Sequence, residues 1–201
     1  MSIPIYLYIS KPILFMFRTF FFTSILLLIP ILGYTQKAED YFNKGRGFCL
    51  FEKYFEAVTE FTKAIELKPD YEEAYFNRGD VKCKIEDYYG AIADYTKAIE
   101  FKPDFAEAYC NRGIAKRKLE YNNEAISDYT SAIELKPDLD VAYYNRGNAK
   151  IDLEDYRGAI ADYSKAIELK PKYADAYFKR GFSFIQVVDY RKAILDFNKS
   201  T

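Results

Sequence analysis

The 201-residue chain contains no histidine. The commonest general base near neutral pH and the commonest metal ligand are therefore missing, which argues against acid–base catalysis and against a zinc site. Cysteine is scarce, at Cys49, Cys83 and Cys110 alone. An odd number cannot all pair within one chain, and none forms a Cys-x-x-Cys. Neither sign of charge is in excess, with 29 basic against 30 acidic side chains. That balance lacks the basic stripe nucleic acid requires. Phosphate-binding glycine loops, metal-ligand clusters and nucleophile–base pairs are also lacking. Glu66, Glu100, Glu134 and Glu168 recur at one spacing, as copies and not as a unique constellation. No cofactor or metal is implied, and an enzyme is not expected.

Long uncharged stretches are limited to one. After Arg18 comes TFFFTSILLLIPILG, fifteen residues without a charge, with Pro30 near its end. A membrane span needs ~20 residues. With small residues at Gly33 and Thr35, the pattern predicts a secretory signal cleaved before Gln36, and Met16 as the true start. The mature protein is then exported, periplasmic or extracellular. The rival reading is an uncleaved anchor, with residues 19–34 as a membrane tether. Either way residues 1–36 are an address and residues 37–201 the folded domain. Three free thiols, partly buried, are expected even so. Cys49 and Cys83 occupy equivalent places on successive helical units, whose axes lie ~8–10 Å apart, and a disulfide needs Cα atoms within ~7 Å.

What the chain does have is repetition. YFNRGDVK at 75–82 returns as YCNRGIAK at 109–116 and YYNRGNAK at 143–150, a period of 34 residues. Pro69, Pro103, Pro137 and Pro171 keep the same period, each after AIELK or AIEFK. Proline just beyond a helical stretch ends it, having no N–H and clashing with the preceding turn. Asp70 and Asp104, with glutamates three residues on, read as N-caps in the reciprocal capping arrangement. Each period thus holds two helices. Tyr88, Ala91, Ile92, Tyr95, Ala98 and Ile99 form the apolar stripe of one, and Ala74, Tyr75, Gly79, Val81 and Ile85 that of the other, with Glu86–Gly90 as the turn.

A glycine inside a helix costs roughly 1 kcal/mol relative to alanine, so the recurring Gly45, Gly79, Gly113, Gly147 and Gly181 need a reason. Gly79 faces the second helix, where its missing side chain lets two backbones approach. Arg78, Arg112, Arg146 and Arg180 are each followed sixteen residues later by an aspartate, Asp94, Asp128, Asp162 and Asp196. In the first unit the pair is Lys44 and Glu60. An ion pair between the two helices of each unit is expected.

These residues resemble the tetratricopeptide repeat (TPR) family, whose signature is a 34-residue helix–turn–helix unit. The family's series of aromatic, small residue, alanine, aromatic, alanine and proline falls on Tyr109, Gly113, Ala125, Tyr129, Ala132 and Pro137. The resemblance covers 38–71, 72–105, 106–139, 140–173 and an incomplete 174–201. It implies an all-α, right-handed superhelical solenoid in which side chains find burial mainly against the next hairpin and a concave wall is left open. The chain departs from the pattern at Lys82, Lys116 and Lys150, where the family has a large apolar residue. Their stems are expected to cover the core edge while the ammonium reaches water.

On that resemblance the concave face carries Phe42, Phe76, Cys110, Tyr144 and Phe178, beside Asn43, Asn77, Asn111, Asn145 and Lys179. Arg46, Asp80, Ile114, Asn148 and Phe182 lie one turn along. Asparagine offers both donor and acceptor to an extended peptide, and aromatics supply contact area at low rotamer cost. Some family members clamp a partner's C-terminal carboxylates here with lysine and asparagine. Phe42 and Phe76 stand where that clamp has lysine, which points away from it. The function implied is a non-catalytic interaction module that binds a peptide or protein partner. The alternatives are a regulatory or sensor segment of a larger enzyme or signalling assembly, and homo-oligomerisation through an uncapped last repeat.

Overall fold

The structure is a computed structural model that describes residues 36–200. The expected signal or anchor lies outside the described residues, apart from Gln36 at its boundary. Helix α1 covers 36–50. It is followed by α2 (Tyr54–Leu67), α3 (Glu72–Lys84), α4 (Tyr88–Phe101), α5 (Ala106–Lys118) and α6 (Asn122–Leu135). Then come α7 (Asp140–Asp152), α8 (Tyr156–Leu169), α9 (Ala174–Gln186) and α10 (Tyr190–Phe197). The described residues contain no strand, and the architecture is the right-handed superhelical solenoid.

Each odd-numbered helix ends in the same motif, more specific than the short turn expected there. At the end of α3, Asp87 N–H donates to the Lys82 carbonyl at 2.9 Å and Glu86 N–H to that of Cys83 at 3.2 Å. Glu86 sits at φ 62°. This double closure with a left-handed residue is the Schellman motif, where glycine is the usual occupant. Here Glu52, Glu86, Glu120, Glu154 and Val188 hold that conformation. Helices α2, α4, α6 and α8 end instead on extended Lys68, Lys102, Lys136 and Lys170, as a residue ahead of proline must.

The capping expectation needs correction. Asp70 and Asp104 cap nothing; Tyr71 and Phe105 stand at the N-cap with no side-chain hydrogen bond. Their rings point into the core, where burial outweighs one capping bond. The Phe42 and Tyr71 rings lie 5.0 Å apart, Phe76 and Phe105 4.7 Å, and Tyr144 and Tyr173 4.9 Å. The capping aspartates are at the turns: Asp87 accepts from Gly90 N–H at 3.0 Å and Asp155 from Gly158 N–H at 2.9 Å. Asp189 does the same for Lys192 at 3.3 Å.

The recurring helical glycine is a packing residue, but what fills its space is a ring, not a second backbone. A Cβ on Gly79, Gly113 or Gly147 would lie 2.7–2.8 Å from Cε1 of Tyr95, Tyr129 or Tyr163. Those three tyrosines are fully buried against the alanines of both helices. The apolar core is a series of clusters, each joining an even-numbered helix to the odd-numbered helix that follows it, as with Ala166, Ile167 and Ala176. The two helices of a hairpin also run close together along their length, so each unit packs on itself as well as on the next.

The arginine–aspartate pairs form as expected, and with more partners. Arg78 donates from Nε to Asp94 Oδ2 at 2.9 Å and from Nη2 to Oδ1 at 2.7 Å. Its Nη1 donates to Thr62 Oγ1 on α2, at 2.9 Å. The same tie joins Arg112 to Thr96, Arg146 to Thr130 and Arg180 to Ser164. Thr62 in turn donates to the Val58 carbonyl of its own helix. One guanidinium therefore links three helices across the repeat boundary. The hydroxyls recur every 34 residues, a signal the sequence carried and the reading missed. Lys82, Lys116 and Lys150 do not reach for water: each ammonium meets the same buried aspartate at 2.7–2.8 Å. Two cations on one buried carboxylate offset the cost of taking it out of water.

Candidate functional site

Odd-numbered helices make the inner wall. In addition to their sequence neighbours, α3, α5, α7 and α9 touch one another in succession, whereas α4, α6, α8 and α10 do not. A stack whose units meet along one side and splay on the other is curved, with α3, α5, α7 and α9 on its inside.

The structure distributes the expected site residues unevenly. Phe42, Arg46, Phe76 and Asn77 line one cavity of about 310 Å³, joined by Glu73 and Phe105. Asp80 and Asn111 line a second of about 350 Å³, with Cys83, Lys84, Tyr95 and Ile114. Cys110 is 2 % exposed, in a cluster with Tyr129, Ala132 and Ala142, and burial pushes its thiol up to about 12. It belongs to the core and offers nothing to a partner. Asn148 is buried too and accepts from Tyr163 Oη at 2.8 Å.

The aromatic row is partly consumed by packing. Phe42 lies between Phe61 and Tyr71, and Tyr144 between Tyr163 and Tyr173. Phe178, after which no further hairpin follows among the described residues, is 53 % exposed. Asn43 and Arg46 are exposed, while Lys179 is half-buried.

The asparagine ladder is likewise engaged on its donor side. Asn77 Nδ2 donates to the Glu73 carbonyl at 2.7 Å and Asn111 Nδ2 to Asp80 Oδ1 at 2.8 Å. Asn145 is hydrogen-bonded to the Cys110 thiol. Asn77 and Asn111 each keep a second N–H and the carbonyl oxygen for a ligand, so the wall presents donors as well as acceptors. The thiols are free, as expected, and desolvation raises all three. Among the described residues no helix is long and apolar enough to cross a membrane.

Comparison with solved structures agrees with this geometry. A MamA crystal structure is 24 % identical, covers 82 % of this chain and 90 % of its own, and superposes with a TM-score of 0.76. MamA from Desulfovibrio magneticus RS-1 is 21 % identical over 82 % of this chain and 93 % of its own, with a TM-score of 0.76. YrrB, described as a TPR protein with an unusual peptide-binding site, is 22 % identical over 83 % and 90 %, at 0.69. At these identities the likeness speaks for the fold alone. No curated protein matches the chain. The TPR repeat model matches residues 48–85, 79–120 and 147–188, and a second tetratricopeptide repeat model matches 106–139. The chain belongs to the tetratricopeptide repeat family.

Proposed function

We propose that this protein is a non-catalytic interaction module that holds an extended peptide segment of a protein partner along the inner wall. The observation that supports it best is a pair of cavities on the inner wall, one between α1 and α3 where Phe42, Phe76 and Phe105 stand beside Arg46, Glu73 and Asn77, the other between α3 and α5 where Asp80 and Asn111 stand beside Tyr95 and Ile114. Cavities that each combine apolar surface with polar groups, spaced along one wall, suit the successive side chains of an extended peptide. The carbonyls of Asn77 and Asn111 suit its main-chain N–H groups. The printed description of YrrB, a peptide-binding TPR protein, is consistent with this use of the fold.

The test is affinity capture with the wild-type protein and an Asn77/Asn111/Asn145→Ala variant, with circular dichroism to show that both are folded. Partners held by the wild type and lost by the variant support the reading; partners retained equally by both end it.

We also propose export, with cleavage before Gln36. The uncharged run at 19–33 supports it, and a chain starting at Gln36 keeps Ala38, which packs in the core of the first repeat. The mass of the mature N-terminus decides between cleavage and a retained anchor.

A further inference from the structure

At position 80 the repeats differ in charge. The equivalent residues are Arg46, Ile114, Asn148 and Phe182, so one repeat alone places a carboxylate on this part of the wall. Asp80 Oδ1 accepts from Tyr95 Oη at 2.7 Å and from Asn111 Nδ2 at 2.8 Å. Both donors are neutral. The cations that surround it in sequence are engaged elsewhere: Arg78 and Lys82 on Asp94, Arg112 and Lys116 on Asp128. Lys84, exposed and one turn further along α3, is the one cation lining the same cavity, and no ion pair joins it to Asp80. The carboxylate is largely desolvated, which raises its affinity for a proton, and the hydrogen bonds from Tyr95 and Asn111 and the charge of Lys84 only partly oppose this. A desolvated carboxylate with no cation in direct contact is costly, and a cation from a partner offsets that cost.

We propose that the cavity bounded by Asp80, Tyr95, Asn111 and Ile114 receives a lysine or arginine side chain of the bound peptide, with its cationic head on Asp80 Oδ2. This deepens the groove reading and rests on it. Oδ1 is occupied by Tyr95 and Asn111, which hold the carboxylate in place at the edge of the space of about 350 Å³ and leave Oδ2 for a ligand. Ile114 and the Tyr95 ring offer apolar surface to the aliphatic stem, as long cationic side chains favour. The free carbonyl of Asn111 can accept a second N–H from the same head. A hard metal ion is the wrong occupant, because it needs six or more oxygen ligands and a single carboxylate supplies too few. The preference also differs in sign from a wall that captures C-terminal carboxylates.

Asp80→Asn is a clean probe, because the fold already contains its product. In the fourth repeat Asn148 accepts from Tyr163 Oη just as Asp80 accepts from Tyr95. A phage-displayed library of random decapeptides is panned on the full chain and on Asp80→Asn. The wild type is expected to select peptides with lysine or arginine at one fixed register. Synthetic copies in which norleucine replaces that residue should lose about tenfold in affinity for the wild type and almost none for Asp80→Asn. Peptides without a fixed basic position, or the same basic position selected by both proteins, overturn the proposal. An Asn77→Arg/Asn145→Arg variant, which obstructs the wall on either side, separates the two levels. Peptides that bind it undiminished are not in the groove, and then the function proposed above fails. Peptides that it excludes but that ignore Asp80→Asn sink the cation site alone. Selection of no peptide counts against both.

Discussion

Arg112 Nη2 lies 2.7 Å from Asp128 Oδ1, and its Nε lies 2.9 Å from Oδ2, so the two side chains meet as parallel forks. Asp128 is 4 % exposed and also holds Lys116 at 2.7 Å, while Arg112 Nη1 crosses to Thr96 at 3.1 Å. Removing the carboxylate strands two cations at the repeat boundary. Asp128→Ala should destabilise by about 3–5 kcal/mol, as for other buried pairs broken on one side. Thr96→Ala, which removes one neutral acceptor, should cost about 1 kcal/mol. Urea unfolding followed by circular dichroism measures both. A double-mutant cycle between Arg112 and Asp128 that returns no coupling energy would contradict the assignment.

Two helical glycines should respond to alanine with opposite signs. At Gly113 a new Cβ would sit 2.7 Å from Tyr129 Cε1, and the ring is fully buried with nowhere to move. Overpacking of that kind costs about 1–3 kcal/mol and outweighs the propensity gain. At Gly47 nothing lies within 4 Å, so Gly47→Ala should gain up to about 1 kcal/mol. Thermal midpoints of the two variants shifted in the same direction would refute the packing explanation.

The buried tyrosines should also separate. Tyr95 and Tyr163 donate to Asp80 and Asn148, whereas Tyr129 Oη, with Ile114 at the corresponding position, has no partner among the described residues. Tyr129→Phe removes an unsatisfied hydroxyl and is expected to leave stability unchanged or raise it by about 1 kcal/mol. Tyr163→Phe orphans Asn148 and should lose about 1–3 kcal/mol. A larger loss at Tyr129 than at Tyr163 would show that the hydroxyl is satisfied after all.

Cys110 should be the last thiol to react. Burial pushes it up to about 12, against an ordinary value near 9, so the neutral thiol is favoured by the fold. That contribution is fully present below about pH 9 and is lost as pH rises from there through about 12, because the unfolded thiol ionises first. Labelling with a disulfide reagent at pH 8 should modify half-buried Cys49 and Cys83 before Cys110. Loss of the Cys110 thiol should follow global unfolding; modification at the rate of Cys49 would contradict its placement.

Among the left-handed residues that end the odd-numbered helices, Val188 is the β-branched one, at φ 65° and 68 % exposed, and its backbone is strained there. Val188→Asn keeps the left-handed conformation without the branched side chain and should stabilise by about 1 kcal/mol. A lower unfolding midpoint for this variant would argue that the turn is not strained.

The local pattern was sufficient for the architecture because a repeat writes the same contacts several times over. The period, the Arg112–Asp128 spacing and the glycine at 113 each recur, and recurrence separates a packing rule from chance. The helix starts were legible to within a residue or two, yet their caps were misassigned. Asp70 satisfies the capping pattern as written, but Tyr71 gains more by burying its ring against Phe42 than Asp70 could by accepting one hydrogen bond.

The candidate site was read less well, since identical register does not mean identical surroundings. Cys110 and Phe42 share a face on paper and both proved buried, because Leu139 and Tyr71 of the following helices lie over them. Sequence alone determined that the chain is a stack of paired helices with a cationic–anionic tie in every unit, since spacing along a helix dictates which side chains share a face. Tertiary structure alone decided which of those faces stay open. Exposure depends on what the next hairpin lays across a residue, and neither composition nor period records that. Asp80 stands out for the same reason: only the fold shows its neighbouring cations already bound to other carboxylates.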